Sequence, residues 1–518
     1  MYRNKWLILL VIAAMVLAAA LTGCAKENPP TSGGDTGGDA TDKPPGEPPK
    51  VEDLPMVDII WYQIGEAPNG SDVMLEKLNE YLAEKIKVKL DLRWTEAGAN
   101  YNEKMNVIIN SGEYYDICFT SNWAAYYFEL APKGAFVALN DMLPQYGPEL
   151  LKVITEDIWE GSRINGKNYA VPVLKDMAEL AVLNVNVKYA EKYGIDYKKL
   201  GDDINLVTEA LEKVSAEIQE DPNFIPIINY PVGGAHGQTA LPYQQIIWPF
   251  GVAWDCKDPN FKPDYKVVNI LETPELAELL NIIRGWNEAG YYNRDLMAPD
   301  TGRDFYTDGN WFLDWYGYFP YHEYSQSLSL GYKVDVVPTT PQKKTTASLT
   351  GAMHAIGVVS DHPERALMFL NLLNSDPVVR NFVGYGVEGV HYDLVDGKVS
   401  FGDRSPEERY SPWQAMLGNN TLLYLLENEP EDKWEFFHNY NNNAAISPIL
   451  GFFPDRTNID TELTVMNSII NEYERYLWNG AIDPKVKLPE YIQKIKEAGG
   501  DKVINELQTQ LDAWLQTR

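Results

Sequence analysis

Phosphate binding is the first chemistry that residue spacing suggests in this sequence. VGYGVEGVHY places Gly384, Gly386 and Gly389 in the pattern G-x-G-x-x-G. In dinucleotide-binding proteins these glycines let backbone amides close around a pyrophosphate, provided that the motif follows a strand and opens a helix. Here a helical pattern comes first, and an alternating pattern around Asp396-Gly397 predicts a hairpin afterwards. We therefore predict that the glycines end a helix.

No familiar catalytic pattern is present in the sequence. H-E-x-x-H, a Walker loop, G-x-S-x-G and zinc-ligand spacings are all missing, and the six histidines are scattered. The acidic loop DCKDPN lacks EF-hand spacing, which leaves calcium binding open. No pair of carboxylates stands out as a hydrolytic site. We predict no catalytic residue, no metal site and no cofactor.

The charge of the chain makes two kinds of partner unfavourable. Lysine and arginine total 44 against 74 acidic residues, for a net charge of −30. Such a surface repels nucleic acid and anionic lipid headgroups, and it suits a neutral or cationic ligand. Aromatic residues make up 12% of the chain, with 14 Trp and 32 Tyr, which is more than a core strictly needs. Aromatic side chains in loops are therefore candidates for ligand contact.

The N-terminus has the pattern of a secretion signal. A basic start is followed by an apolar stretch that is short for a permanent membrane helix, although an uncleaved helix remains the alternative. The stretch ends in Leu-Thr-Gly-Cys, which is similar to a bacterial lipobox, and cleavage there would leave an acylated Cys24. Residues 1–23 are predicted to be a lipoprotein signal peptide. Residues 24–54, rich in Pro, Gly and Asp, are predicted to be a disordered tether.

After the tether, strand and helix patterns alternate. MVDIIWYQIG, KVKLDLRW and YDICFTS are predicted strands with predicted helices between them. This order indicates a parallel sheet covered by helices, and ligands of such sheets lie at the C-terminal ends of the strands. Glu66, Asn122 and Trp123 follow predicted strands and are therefore expected at a cleft.

The remaining chain divides into further units. The first unit, residues 55–180, closes with a hairpin predicted in WEGSRINGKNYAVPV. A second α/β unit is predicted over residues 181–345, and residues 346–410 return to the first unit. Residues 411–518 end in long amphipathic patterns, which predict a helical C-terminal region packed on the lobes.

Several segments resemble a known protein family. INGKNYAVP, VVNILETPELAELLNIIRGWNEAGYY, HPERALMFLNLLNSDP and VGYGVEGVHY are similar to segments of family-1 extracellular solute-binding proteins, the lipid-anchored receptors of carbohydrate ABC importers. From SPILGFFPD to ELQTQLDAWL the chain also resembles a C-terminal domain of unknown function common on Gram-positive members. These segments are spread across most of residues 55–518. One departure is AVLNVNV, where many relatives carry a tyrosine-rich strand.

The resemblance implies an α/β fold of two lobes, the type II periplasmic-binding-protein-like fold, with a helical C-terminal segment. It also implies capture of a ligand between the lobes by hinge closure, followed by delivery to a two-subunit ABC permease. The expected location is the extracellular face of the cell membrane, with acylated Cys24 anchored in the lipid bilayer. We expect a monomer without enzymatic activity that binds an oligosaccharide of plant or glycosaminoglycan origin.

A sugar ring has an apolar C–H face and a rim of hydroxyls, so its receptor needs aromatic surfaces with amides and carboxylates nearby. The candidate aromatic residues, taken from predicted loops, are Trp123, Trp248, Trp254, Trp315 and Trp413. The candidate polar partners are Glu66, Asn122, Asp176, Asp314, Glu388 and Asn419. Each has a simpler alternative, since tryptophans often pack in cores and carboxylates often remain solvated. On this assignment, Trp315→Ala is expected to weaken sugar binding more than about tenfold without unfolding the protein.

Other functions remain open from the sequence. An acidic cleft also suits cationic peptides, so a peptide receptor of the same fold is the main alternative. A secreted glycosidase or lyase also uses aromatic residues and paired carboxylates, although the pattern indicates two α/β units rather than an eight-stranded barrel. A surface scaffold without a ligand is a further interpretation.

Overall fold

A computed structural model describes residues 50–96, 99–231, 241–292 and 305–518. The predicted signal peptide, Cys24 and the tether up to residue 49 lie outside the described residues. Within the described ranges, no helix combines the length and the apolar character needed to cross a bilayer.

Strands are numbered here in chain order. They are β1 Val57–Ile64, β2 Val88–Thr95, β3 Ile117–Thr120, β4 Ala170–Pro172, β5 Ala181–Asn186, β6 Ile225–Ile227, β7 Tyr243–Ile247, β8 Phe250–Ala253, β9 Val267–Asn269, β10 Trp311–Gly317, β11 Val334–Pro338, β12 Lys343–Lys344, β13 Met353–Ile356, β14 Asp393–Val395, β15 Lys398–Ser400 and β16 Ala445–Ile446.

The α-helices follow the same convention. They are α1 Ser71–Ile86, α2 Ala99–Ser111, α3 Tyr127–Leu130, α4 Leu143–Tyr146, α5 Leu150–Val153, α6 Glu156–Gly161, α7 Val187–Lys192, α8 Ile204–Val214, α9 Glu217–Glu220, α10 Pro274–Glu288, α11 Phe305–Asp308, α12 His322–Leu330, α13 Thr346–Leu349, α14 Pro363–Ser375, α15 Pro377–Tyr385, α16 Lys433–Asn442, α17 Asp460–Leu477, α18 Pro484–Glu497 and α19 Gly500–Leu515.

The first sheet has the strand order β2-β1-β3-β13-β4. β1 pairs in parallel with β2 and β3, which confirms the predicted parallel core, and β13 joins it antiparallel when the chain returns. The sheet is covered by helices whose buried residues recur at helical spacing. In α1, every fourth residue from Met74 to Ile86 is buried, because this spacing keeps side chains on one face.

The second sheet has the order β11-β5-β10-β6. β10 lies between β5 and β6, pairing antiparallel with the first and parallel with the second. Asp314 and Trp315 belong to β10, so their predicted loop position is wrong. The physical reason is that the aromatic run WFLDWYG fits a buried strand with neighbours on both sides, where its backbone groups are paired.

The C-terminal helices pack against the second sheet rather than forming a separate core. Buried residues of α17, α18 and α19, such as Leu463, Tyr491 and Leu507, share one hydrophobic cluster with Leu313 and Trp315 of β10. The predicted amphipathic helices are thus confirmed, and their apolar faces are used against the second lobe.

The turns follow the predicted chemistry. α15 ends at Tyr385, and Gly386 has a φ of 84°, so the glycine motif ends a helix. An added Cβ at Gly386 would lie 2.4 Å from His391 Nδ1, which leaves no room for a side chain. The Asp396-Gly397 hairpin is also confirmed, with φ of 52° and 79° at its two central residues.

Candidate functional site

Short extended segments connect the two sheets. Between β4 and β5, Glu179 meets Lys343 of β12 and the two exchange backbone hydrogen bonds of 2.8 and 2.9 Å. β12 also pairs in parallel with β16, which brings the C-terminal region to the same point. Hinge-bending proteins absorb changes of φ and ψ in short connections of this kind.

A cavity of about 70 Å³ lies where these parts meet. Asn122 and Phe128 line it from the region after β3, Gln244 and Gln245 from β7, and Phe453 from the C-terminal region. Phe453 stacks on Phe128 with ring centroids 3.9 Å apart. Ligand pockets usually have roughly 300–1,000 Å³, so this space admits water but not a sugar ring. A sugar at this junction therefore requires the two sides to move apart.

Two tryptophans form an exposed pair. The ring centroids of Trp123 and Trp413 are 6.0 Å apart, with the rings tilted by 45°. Their exposed fractions are 36% and 48%, which is high for tryptophan. Phe119 of β3 lies 5.8 Å from Trp123 and connects the pair to the core. The pair therefore presents an aromatic surface to solvent on a rigid base.

Hydrogen bonds fix the loop that carries Trp123. The indole Nε1 of Trp123 donates to Gly351 O at 2.8 Å, and its backbone N donates to Ser121 Oγ at 3.1 Å. The neighbouring Asn122 Nδ2 donates to Ala347 O at 2.8 Å. These bonds hold the loop against the chain that returns from the second lobe. The indole is thus held in one orientation at the surface.

The other predicted aromatic residues of the second lobe are not exposed in this way. Trp315 is only 4% exposed and belongs to the core cluster of the second sheet, and Trp254 is buried after β8. Asn419 is also buried, and its Oδ1 accepts from Thr421 N at 3.0 Å to cap a short helical turn. The structure thus brings Asn122, Trp123 and Trp413 to the surface and uses these other side chains in packing.

Asp314 is fully enclosed in the second sheet. Asn229 Nδ2 donates to its Oδ1 at 2.8 Å, and the hydroxyl of Tyr306 donates to its Oδ2. Burial raises the pKa of Asp314 to about 6, and the two hydrogen bonds limit the rise because they favour the carboxylate. In this position Asp314 orients Tyr306.

Trp248 joins the β7–β8 hairpin to the C-terminal helices. Its indole N–H donates to the carboxylate of Glu474 on α17, which also accepts from Tyr491 Oη at 2.9 Å and from Trp478 Nε1 at 3.2 Å. Burial raises the pKa of Glu474. The ring centroids of Trp248 and Trp478 are 5.9 Å apart. The only N–H of the Trp248 side chain is therefore used within the protein.

The remaining predicted carboxylates lie on separate elements. Glu66 follows β1 and Glu388 follows α15, and both are exposed. Asp176 is half-buried in the segment that leads to β5, where burial raises its pKa. Across the described part of the chain, no three His, Cys, Asp or Glu side chains are grouped so that they could hold a metal ion.

A larger cavity, of about 430 Å³, was not predicted from the sequence. It lies beside α12 and is lined by Tyr306, Thr307, Phe319, His322, Ser325, Gln326, Ser329 and Leu330. The available signal was a single histidine within an aromatic run, followed by a serine-rich helix, and this pattern matches no motif.

Comparison with known proteins identifies relatives of the whole chain. A carbohydrate ABC transporter substrate-binding protein of Streptococcus pneumoniae is 30% identical over 516 residues, which cover 98% of this chain and 97% of that protein. Lipoprotein LipO of Bacillus subtilis is 23% identical over 242 residues, or 46% of this chain and 45% of LipO. Residues 448–516 match a family described as a domain of unknown function, DUF3502.

Solved structures show the same fold. A crystal structure of the N-glycan transport solute-binding protein NgtS from Streptococcus pneumoniae has a TM-score of 0.76 at 30% identity, covering 89% of this chain and 99% of that one. NgtS in complex with Man5GlcNAc has a TM-score of 0.64 at 28% identity, with the same coverage. The predicted two-lobed, type II solute-binding fold is confirmed. With 30% identity to the pneumococcal protein over almost the full length of both, this chain belongs to the carbohydrate ABC transporter substrate-binding proteins.

Proposed function

We propose that this protein is an extracellular, monomeric receptor that captures an oligosaccharide between its lobes and delivers it to a two-subunit ABC permease. The observation that carries the proposal is the exposed pair of Trp123 and Trp413, 6.0 Å apart. An indole face offers a flat apolar surface for the C–H groups of a sugar ring. The Nδ2 of Asn122 is already bonded to Ala347 O, which leaves its Oδ1 as an acceptor for a sugar hydroxyl.

The relatives indicate which sugars to test first. NgtS, which is 28% identical to this chain in that comparison, has been crystallised in complex with Man5GlcNAc. We take neutral glycans built from mannose and N-acetylglucosamine as the first candidate class. Plant and glycosaminoglycan oligosaccharides form the second.

We expect binding to change the angle between the lobes. The junction cavity of about 70 Å³ is too small for a sugar in the present conformation. The chain also resembles one NgtS crystal structure, with a TM-score of 0.76, more closely than the Man1GlcNAc and Man5GlcNAc complexes, with 0.66 and 0.64. This difference supports a fold that exists in more than one lobe arrangement.

Calorimetric titration with a panel of neutral oligosaccharides tests the binding site. Wild-type protein is expected to bind at least one of them, and Trp123→Ala to weaken that affinity by more than about tenfold, or 1.4 kcal/mol. Tyr476→Ala is the matched control, because Tyr476 is 42% exposed but lies on α17. Equal affinities for the wild type and Trp123→Ala would remove the tryptophan pair from the site.

A receptor binds its ligand without changing it. Incubation with the same oligosaccharides is expected to produce no new reducing ends, and turnover would identify a glycosidase instead. Cationic peptides serve as the other comparison in a thermal-shift panel, since a ligand at 100 times its Kd adds about 2.7 kcal/mol of stability. Stabilisation by peptides alone would favour the peptide receptor.

We also propose that acylated Cys24 anchors the protein to the lipid bilayer. The lipobox-like sequence before Cys24 and the similarity to a lipoprotein support this step. Cys24→Ala is expected to abolish labelling by palmitate and to move the protein from the membrane fraction to the medium. Unchanged labelling and fractionation would contradict the anchor without affecting the sugar site.

A further inference from the structure

The cavity beside α12 contains a buried histidine with unused hydrogen-bonding capacity. His322 is 5% exposed and lines this space of about 430 Å³. In the described part of the chain, neither of its ring nitrogens has a hydrogen-bond partner. Burial lowers the pKa of His322 to about 4, so the ring is neutral at physiological pH. A neutral imidazole offers one N–H donor and one nitrogen acceptor.

This situation differs from that of a histidine buried in the first sheet. His354 in β13 is also buried, but its Nε2 lies 3.0 Å from Gln63 Oε1, which satisfies it. Buried polar atoms without partners are uncommon because they lose water without replacing it. The contrast identifies His322 as a buried polar side chain at the cavity whose hydrogen-bonding capacity the described residues leave unused.

Aromatic rings hold His322 in a fixed orientation. Tyr316 stacks on the imidazole with centroids 4.8 Å apart and an interplanar angle of 12°, and Phe319 meets its edge at 4.5 Å and 77°. Phe319 is itself partly exposed at the cavity. The cavity thus combines an aromatic surface with a fixed polar group, the combination that suits a sugar ring.

The polar lining indicates an uncharged ligand. Gln326 Oε1 is a further buried acceptor that has no partner among the residues the structure describes, and the side chains of Ser325 and Ser329 add hydroxyls. The described residues that line the cavity include no lysine or arginine. Behind Tyr306 lies the buried Asp314, which is mostly ionised at neutral pH. Among these described lining residues, a carboxylate or sulfate on the ligand would find no cation, and it would meet the negative potential of Asp314.

The cavity also lies beside a contact between the lobes. From the same region, Tyr321 Oη donates to Asp432 Oδ1 at 2.8 Å, and Tyr324 Oη donates to Asn428 O at 2.7 Å. The segment that contains these acceptors is joined to α15 of the first lobe by Asn381, whose Oδ1 accepts from Tyr424 N at 2.9 Å. A ligand in the cavity would therefore lie close to hydrogen bonds that change when the lobes move relative to each other.

We infer that the cavity around His322 is a second sugar subsite, which accepts one uncharged, hydroxyl-rich ring of the oligosaccharide and disfavours acidic sugars. This inference rests on the proposed function and makes it more specific. His322 and Gln326 bond the hydroxyls of that ring once their buried polar atoms turn toward it, and Phe319 contacts its apolar face. The tryptophan pair and this subsite together would select a neutral glycan of more than one residue.

The test combines affinity with a direct view of the imidazole. Calorimetry compares Man5GlcNAc and other neutral glycans with glucuronate-containing tetrasaccharides, using the wild type, His322→Phe and His322→Gln. Phe keeps the ring stacking but removes both nitrogens, whereas Gln keeps a donor and an acceptor. We expect about a tenfold loss for Phe, partial recovery for Gln, and at least tenfold preference for neutral glycans. Long-range proton–nitrogen NMR spectra, assigned with His322→Phe, should show the ring nitrogens shifting when the neutral glycan binds.

The outcomes separate this inference from the proposed function. If the wild type binds a neutral glycan but His322→Phe binds it equally and the ring signals do not shift, the subsite is refuted and the receptor function stands. If acidic tetrasaccharides bind as tightly as neutral glycans, the selectivity is refuted. If no carbohydrate binds the wild type, both fail. Melting temperatures of the variants at neutral pH show whether a lost affinity reflects unfolding.

Discussion

The tryptophans of the two lobes have opposite roles. Trp123 of the first lobe and Trp413 at the start of the C-terminal region are 36% and 48% exposed and pair at the surface. In the second lobe, Trp315 is packed in the core, and Trp248 is bonded to Glu474 of the C-terminal helices. The same residue type is therefore exposed in one part of the molecule, where we propose ligand contact, and packed within the fold in the other.

The difference follows from where each residue lies on its sheet. Trp123 comes just after the C-terminal end of β3, the edge of a parallel sheet at which ligands usually bind. Trp315 lies inside β10, with β5 and β6 on either side. A tryptophan at a strand end can remain open to a ligand, whereas one inside a central strand is covered by the layers above and below.

Trp315→Ala should give the largest effect, and it should be on stability. Removing a buried tryptophan leaves a cavity and costs about 3–5 kcal/mol. Urea denaturation should show this loss, with Trp123→Ala as the control losing less than about 1 kcal/mol because its ring is exposed. Because Trp315 is packed in the core, we no longer expect Trp315→Ala to leave the fold intact, as the sequence alone had suggested. Unchanged stability with lost sugar binding would place Trp315 back in the cleft.

Asp314 should make stability depend on pH in a particular direction. Its pKa of about 6 in the folded protein lies above the ordinary value near 3.8. Between these pH values the folded protein therefore binds more protons than the unfolded chain. Wild-type stability relative to Asp314→Asn should therefore be highest below about pH 4 and fall by about 2–3 kcal/mol as pH rises to 7. Denaturation curves of both proteins at pH 4, 5, 6 and 7 measure this difference in the free energy of unfolding. A difference that stays constant with pH would mean that Asp314 is not a buried carboxylate.

Trp248→Phe tests the contact with the C-terminal helices. It removes one donor from the buried carboxylate of Glu474 while Tyr491 and Trp478 remain. We expect a loss of about 1–2 kcal/mol in the free energy of unfolding and unchanged sugar affinity. Denaturation and calorimetry on the same preparation check this. A loss of affinity without loss of stability would mean that Trp248 contacts the ligand.

Trp413→Ala should have the smallest effect, and it should be on affinity. Trp413 is more exposed than Trp123, and it is Trp123 whose ring contacts Phe119 of β3. We expect a three- to tenfold loss of affinity, about 1 kcal/mol, with stability changed by less than about 0.5 kcal/mol. An effect larger than that of Trp123→Ala would reverse the assigned roles within the pair.

Local sequence patterns predicted much of the fold. The strands of the first sheet, the C-terminal helices and the hairpin at Asp396-Gly397 were correct, because each depends on residues close in sequence. Asn122 and Trp123 were placed correctly at the end of β3 by the rule for parallel sheets.

Long-range packing explains what was missed. Trp248 and Glu474 are 226 residues apart, and no local pattern encodes their contact. The aromatic run around Trp315 is compatible with a loop or a strand, and only its neighbours β5 and β6 decide between them. His322 was missed for a similar reason, because its significance lies in unpaired ring nitrogens at a cavity.

A crystal structure with the tightest-binding neutral glycan tests the central claim most directly. The account predicts a sugar ring stacked on Trp123, with its carbon atoms about 4 Å from the indole plane, and lobes rotated relative to the present arrangement. A glycan bound elsewhere, with Trp123 and Trp413 still open to solvent, would contradict it.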